Sequence, residues 1–130
     1  MSRFETPRIS VVGTGQIGRG WAALAVAAGW PVTIYDADAE ALASAPEVIG
    51  DRVVTLIRLK RAEPMVAEEA LNQMRVGRSL LQAVSDATWI IEAVPEDLVT
   101  KLKVLQLIEQ VARRAAVITS SASGLGPTML

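Results

Sequence analysis

Three glycines, Gly13, Gly15 and Gly18, stand at G-x-G-x-x-G spacing in "RISVVGTGQIGRGWAALAVAAGWPVTIYD", residues 8–36, and Asp36 closes the stretch. Glycine inside an ordered element costs about 0.5–1 kcal/mol relative to alanine. A cluster of them implies that something must come close to the main chain. Each glycine has its own duty in a dinucleotide-binding turn: Gly13 allows the tight bend, Gly15 lets the backbone meet a pyrophosphate, and Gly18 lets the helix pack close to the strand. Gln16 and Ile17 open that helix, where unpaired N–H groups and partial positive charge favour an anion. Asp36 falls at the tip of the next strand, where a carboxylate accepts hydrogen bonds from the adenosine ribose 2′- and 3′-hydroxyls and repels a 2′-phosphate. No arginine follows it in "DADAE", so NAD is expected over NADP. Two other readings stay open: a glycine turn with Asp36 as a helix cap, and an S-adenosylmethionine site with the same acidic strand end.

The elements around the motif are those it requires. Arg8–Val12 is a short β-branched run that reads as a buried strand. Gln16–Ala28 reads as a helix with Ile17, Trp21, Leu24, Ala25 and Ala28 on its packed face and Gly29 as its stop. Pro31–Tyr35 is a second strand. Ala39–Ala45 reads as a helix that Pro46 interrupts, followed by another from Glu47 to Arg61, before Pro64. Met65–Met74 and Ser79–Ala87 read as helices, with "MRVG" a short strand or turn between them. Thr88–Val94 is a strand cut off by Pro95. Leu98, Leu102, Leu105, Ile108 and Ala112 then mark an amphipathic helix, with Glu96 and Asp97 in its first turn and Arg113 and Arg114 in its last. Ala115–Ser120 is a further strand. Strands alternating with helices predict a parallel sheet covered on both faces, an α/β, Rossmann-type doubly wound fold.

Composition excludes several function classes. The 130 residues are 51% apolar and 21% charged, near globular averages, which fits one domain over residues 1–130. Thirteen basic residues against fourteen acidic ones give no field for nucleic acid. There is no cysteine and no histidine, so thiolate metal sites, a cysteine nucleophile and the commonest general base are all missing. The polar start "MSRFETPRIS" has no signal-peptide core, and the alanine-rich Trp21–Ala28 is far short of the roughly 20 residues of a membrane span. A cytoplasmic protein with no membrane partner is expected.

"VVGTGQIGRGWA", "YD", "IIEAVPEDLVTKLKVL" and "ITSSASGLGPTML" together resemble the N-terminal domain of the 3-hydroxyacyl-CoA dehydrogenase family, from about Arg8 to Leu130. "GRGWA", "VPEDL" and "SGLGPT" look closest to the branch that includes lambda-crystallin (L-gulonate 3-dehydrogenase) and L-carnitine dehydrogenase. In the fatty-acid branch a small aliphatic residue usually replaces Trp21, and an asparagine Ser121. The resemblance implies oxidation of a 3-hydroxyl to a ketone with hydride transfer to NAD, on a small 3-hydroxy acid or acyl-CoA. It implies that Glu96 and Lys101 line the cofactor beside the nicotinamide ribose. Ser123 would meet the substrate's 3-hydroxyl as the catalytic-site serine, and Ala93 and Val94 would pass under the dinucleotide. On residue type alone, Glu96 is a helix first-turn acid, Lys101 an exposed lysine and Ser123 a cap or turn serine. Trp21 reads as helix packing, and Arg58, Lys60 and Arg61 as a solvated helix face rather than a CoA phosphate site.

Family members take the hydroxyl proton with the histidine of an H-x-x-N-P motif, which is not among these residues. Nor is the family's second, helical domain, through which the parent protein is expected to form a homodimer. The resemblance therefore implies the cofactor half of a longer dehydrogenase, incomplete at its C-terminal end and inactive alone. The rival is a non-catalytic, crystallin-like dinucleotide-binding module.

Overall fold

The computed structural model describes residues 6–94 and 97–121. Five parallel strands, β1 (Ile9–Val12), β2 (Val32–Tyr35), β3 (Arg75–Val76), β4 (Trp89–Glu92) and β5 (Val117–Ser120), form one sheet in the order β3-β2-β1-β4-β5. The helices are α1 (Gln16–Ala27), α2 (Ala39–Arg58), α3 (Pro64–Gln73), α4 (Leu80–Val84) and α5 (Leu98–Val111). Alternation along each strand divides the core. Ile9, Val11, Val32, Ile34 and Ile91 pack with Ala22, Val26, Ile49 and Val53 under α1, α2 and α3. Val12 and Ile90 face the other way, onto Val84 and Ile108 of α4 and α5. A parallel sheet buried on both faces explains why β1 is apolar at three of its four positions. The expected doubly wound α/β architecture is what the chain adopts.

Four expectations about the helices need correction. Pro46 does not interrupt α2, which runs continuously through it. An internal proline costs about 3 kcal/mol, but Ala45, Ile49 and Val53 are fully buried on either side of it, and burial of the two larger side chains returns about 1.5–3 kcal/mol each. Pro64, expected only to lie beyond the preceding helix, begins α3, with the Glu63 side chain accepting from Val66 N. On α1 the packed face is made by Gly18, Ala22, Ala23, Ala25, Val26 and Ala27, while Trp21 is 41% and Leu24 54% exposed. Small residues let the helix sit close to the sheet, and the large ones turn outward. On α5 the buried positions are Lys101 and Ile108, Leu102 is 46% exposed, and Arg113 and Arg114 lie past the helix end. Its cap is Asp97, whose carboxylate accepts from Thr100 Oγ1 (2.7 Å) and Val99 N (3.1 Å). The Thr100 hydroxyl, and then the Val99 N–H, hold that carboxyl below its ordinary pKa.

The polar centre of the fold ties β4, α5 and β5 together. Glu92 and Lys101 are both fully buried, with Nζ 2.7 Å from Glu92 Oε2. Lys101 Nζ also donates to the carbonyls of Val94 (2.8 Å) and Ser121 (3.1 Å), so all three ammonium protons are engaged. Glu92 Oε2 accepts in addition from Val94 N (2.7 Å), and Oε1 from Ser120 Oγ (2.5 Å). Removing one partner of such a pair leaves the other charge buried and uncompensated. Lys101→Met should therefore destabilise the fold by about 3–5 kcal/mol, and the double change Glu92→Leu with Lys101→Met should restore most of it. Denaturant unfolding of the two variants measures both effects.

Candidate functional site at the carboxyl edge of the sheet

The site begins where β1 ends. Gly13 takes φ +103°, a conformation open to glycine, and a Cβ there would lie 2.5 Å from Ala93 O and 2.7 Å from Val94 N. Gly13 N donates to Tyr35 O (2.8 Å) and Ala93 N to Val12 O (2.7 Å), which draws the ends of β1, β2 and β4 to one point. A Cβ on Gly18 would overlap the Gly13 carbonyl oxygen and press on Val11. Two of the three motif glycines are thus required by the fold itself: Gly13 for the bend and Gly18 for the seat of α1 on it.

Gly15 is different. It is the N-cap of α1 with ordinary extended dihedrals, φ −71° and ψ −167°, and nothing lies within 4 Å of the position a Cβ would take. The fold has no use for its missing side chain. What stands in front of it is open space, bordered by the start of α1. No side chain caps that helix. The first helical bond runs from Arg19 N to Gly15 O, so the N–H groups of Gln16, Ile17 and Gly18 have no partner among the described residues. An anion settling against Gly15 would satisfy those donors and meet the positive end of the helix macrodipole. The geometry fits a diphosphate.

On the β2 side of this turn, Asp36 is held by the chain. Its Oδ2 accepts from Thr14 N (2.7 Å) and Thr14 Oγ1 (3.0 Å), and its Oδ1 from Asp38 N (2.9 Å). Asp38 in turn caps α2 through Glu40 N and Ala41 N. A carboxylate offers about four acceptor positions. Three are filled, leaving Oδ1 the freer oxygen for a sugar hydroxyl. Thr14 is almost fully buried, and its hydroxyl bond to Asp36 is a contact the sequence reading did not identify. The only signal for it was a hydrogen-bonding residue at a motif position where any type is allowed.

On the β4 side the chain passes Ala93 and Val94 directly beside the Gly13 turn. Gly13, Gly15, Gln16, Ile17, Gly18, Asp36, Ala93 and Val94 therefore share one rim. Lys101 lies beneath that rim rather than on it: its ammonium faces Glu92 and two main-chain carbonyls and has no surface in solvent. Glu92 was not singled out from the sequence, yet it is the partner that takes Lys101 inside. Glu96 and Ser123 lie outside the described residues. Trp21 was expected to pack inside the helix layer; instead its indole N–H donates to Ser121 Oγ (3.1 Å) across the end of β5. Among the described residues there is no group of histidine, cysteine, aspartate or glutamate side chains that could hold a metal ion, and no helix is long and apolar enough to cross a membrane.

Comparison with known proteins agrees with this geometry. Residues 8–130 match the family described as "3-hydroxyacyl-CoA dehydrogenase, NAD binding domain". The chain is 35% identical over 124 residues to an L-carnitine dehydrogenase/betainyl-CoA thioesterase of Ruegeria pomeroyi, covering 93% of this chain and 24% of that protein. It is 32% identical over 130 residues to the bovine (Bos taurus) lambda-crystallin homolog, covering 94% of this chain and 38% of the relative. Among solved structures, a diketoreductase superposes with a TM-score of 0.84 at 29% identity, over 98% of this chain and 46% of that one. The 3-hydroxybutyryl-CoA dehydrogenase of Escherichia coli K12 gives 0.81 at 25% identity, over 97% and 26%. The chain thus spans between about a quarter and two fifths of the length of these curated relatives. It belongs to the NAD-binding domain of the 3-hydroxyacyl-CoA dehydrogenase family, and its cofactor is NAD.

Proposed function

We propose that these residues are the cofactor-holding part of an NAD-dependent dehydrogenase that oxidises the 3-hydroxyl of a small hydroxy acid or acyl-CoA to a ketone. The observation that carries the reading is Gly15, a side chain left out where the fold has no need of the space. NAD, when bound, supplies the hydride acceptor. The turn at Gly13–Gly18 holds the diphosphate by main-chain N–H groups. Asp36, oriented by Thr14, accepts from the adenosine ribose and disfavours a 2′-phosphate, so NAD is selected over NADP. Ala93 and Val94 form the floor towards the nicotinamide, with Glu96 beside its ribose and Ser123 directed to the substrate hydroxyl. Lys101 contributes by fixing the ends of β4 and β5 that carry these residues.

Taking the hydroxyl proton needs a base, and none of the 130 residues is histidine. Under this reading the base and the rest of the substrate site come from a further helical domain of the parent protein, through which it forms a homodimer. The length of the relatives supports this, as do the exposed Val99, Leu102, Leu107 and Val117 on α5 and β5.

Calorimetric titration with NAD, NADP and S-adenosylmethionine tests the cofactor assignment, and NAD should bind tightest. In the Gly15→Val variant, NAD affinity should fall by about a hundredfold or more, roughly 2.7 kcal/mol. Fold stability should drop by no more than about 1 kcal/mol, the scale of an unfavourable N-cap; unchanged affinity would contradict the placement of the diphosphate. Asp36→Ala should weaken NAD by about tenfold, the scale of a hydrogen bond to a charged group, and NADP by less. An equal loss for both cofactors would show that the carboxylate does not meet the ribose.

A further inference from the structure

Arg19 is the fourth residue of α1, one turn from the open N-cap Gly15, to whose carbonyl its main-chain N–H donates (2.9 Å). Its side chain is partly buried, and Nε is enclosed with no hydrogen-bond partner. No carboxylate pairs with its guanidinium among the described residues. Arg52 of α2, which also reaches the start of α1, is anchored: its Nη1 donates to Gln16 O (3.3 Å). Arg19 alone of the two is left without an acceptor. A guanidinium drawn partly out of water with no anion is a liability unless something else supplies the charge.

Helical side chains lean towards the helix N-terminus, and Gly15 stands four residues before Arg19, on the same side of the first turn. The planar fork of arginine matches phosphate oxygens in a way that a point charge does not. We infer that Arg19 is a phosphate ligand, completing on its side chain the anion site that the first turn of α1 begins on its main chain. The inference rests on the reading that the NAD diphosphate lies against Gly15. Arg19 would be held unpaired in the free protein, its anion arriving with the cofactor.

The free and bound states separate this role from a structural one. Arg19→Met removes an uncompensated charge, so the ligand-free protein should melt at the same temperature as the wild type or higher. Its affinity for NAD and for ADP should fall by about tenfold or more, while adenosine, which has no phosphate, should bind as before. The dependence of NAD affinity on salt should weaken, and Arg19→Lys should recover part of the loss. Lower melting of ligand-free Arg19→Met, unchanged NAD affinity, or an equal loss for adenosine would each overturn the inference. A wild-type protein that bound no NAD would refute the cofactor reading itself, whereas wild-type binding matched by Arg19→Met would refute only the role of Arg19.

Discussion

The contact between two glycines governs this structure. Gly18 can lie on the Gly13 carbonyl only because it carries no Cβ, and Gly13, at positive φ, can turn beneath it and against Ala93 and Val94 only because it too carries none. That contact sets the start of α1 directly over the end of β1. The same bend is held by Tyr35 from β2, and Ala93, just past β4, bonds the last residue of β1. Three strand ends and one helix end converge there, and the convergence leaves main-chain N–H donors of the first helical turn facing open space at Gly15. Those donors are left unpaired because the helix begins at a glycine with no side-chain cap.

From that centre the rim diverges into two halves with opposite electrostatic characters. Towards β2, Asp36 remains partly open and keeps an acceptor on Oδ1, with Thr14 and Asp38 fixing its rotamer. A fixed carboxylate recognises hydroxyls and rejects phosphate. Towards β5, the charges among the described residues are internal: Glu92 and Lys101 pair out of contact with water and make their other hydrogen bonds to Val94, Ser120 and Ser121. The geometry of the strand ends on this side depends on the buried pair. The Trp21–Ser121 contact adds a brace from α1 to the same strand end.

What could be read from the sequence follows how local each physical cause is. Gly13, Gly18 and the strands flanking them were legible because backbone conformation and close packing act within a few residues of the motif. Trp21 and Leu24 were assigned to the wrong side of α1 because periodicity counts apolar residues, whereas the sheet selected the smallest ones for close approach. Pro46 was read as a break because its local penalty is visible and the burial of Ile49 and Val53 that outweighs it is tertiary. Lys101 read as an exposed side chain, or by resemblance as a cofactor contact. Its burial depends on Glu92, nine positions earlier on a different element, and no local pattern links the two. Thr14 and Arg19 were silent for the same reason, since a threonine or arginine at a variable motif position acquires meaning only from what it faces.

Everything proposed for this chain requires the main-chain donors at the start of α1 to hold the cofactor's diphosphate. Amide NMR of the isotopically labelled protein, titrated with NAD, observes those donors one by one. The Gly15, Gln16, Ile17 and Gly18 resonances should show the largest shifts, saturating with the same affinity as binding measured by heat. If they stay in place while NAD binds, the nucleotide lies elsewhere and the turn is a structural bend only.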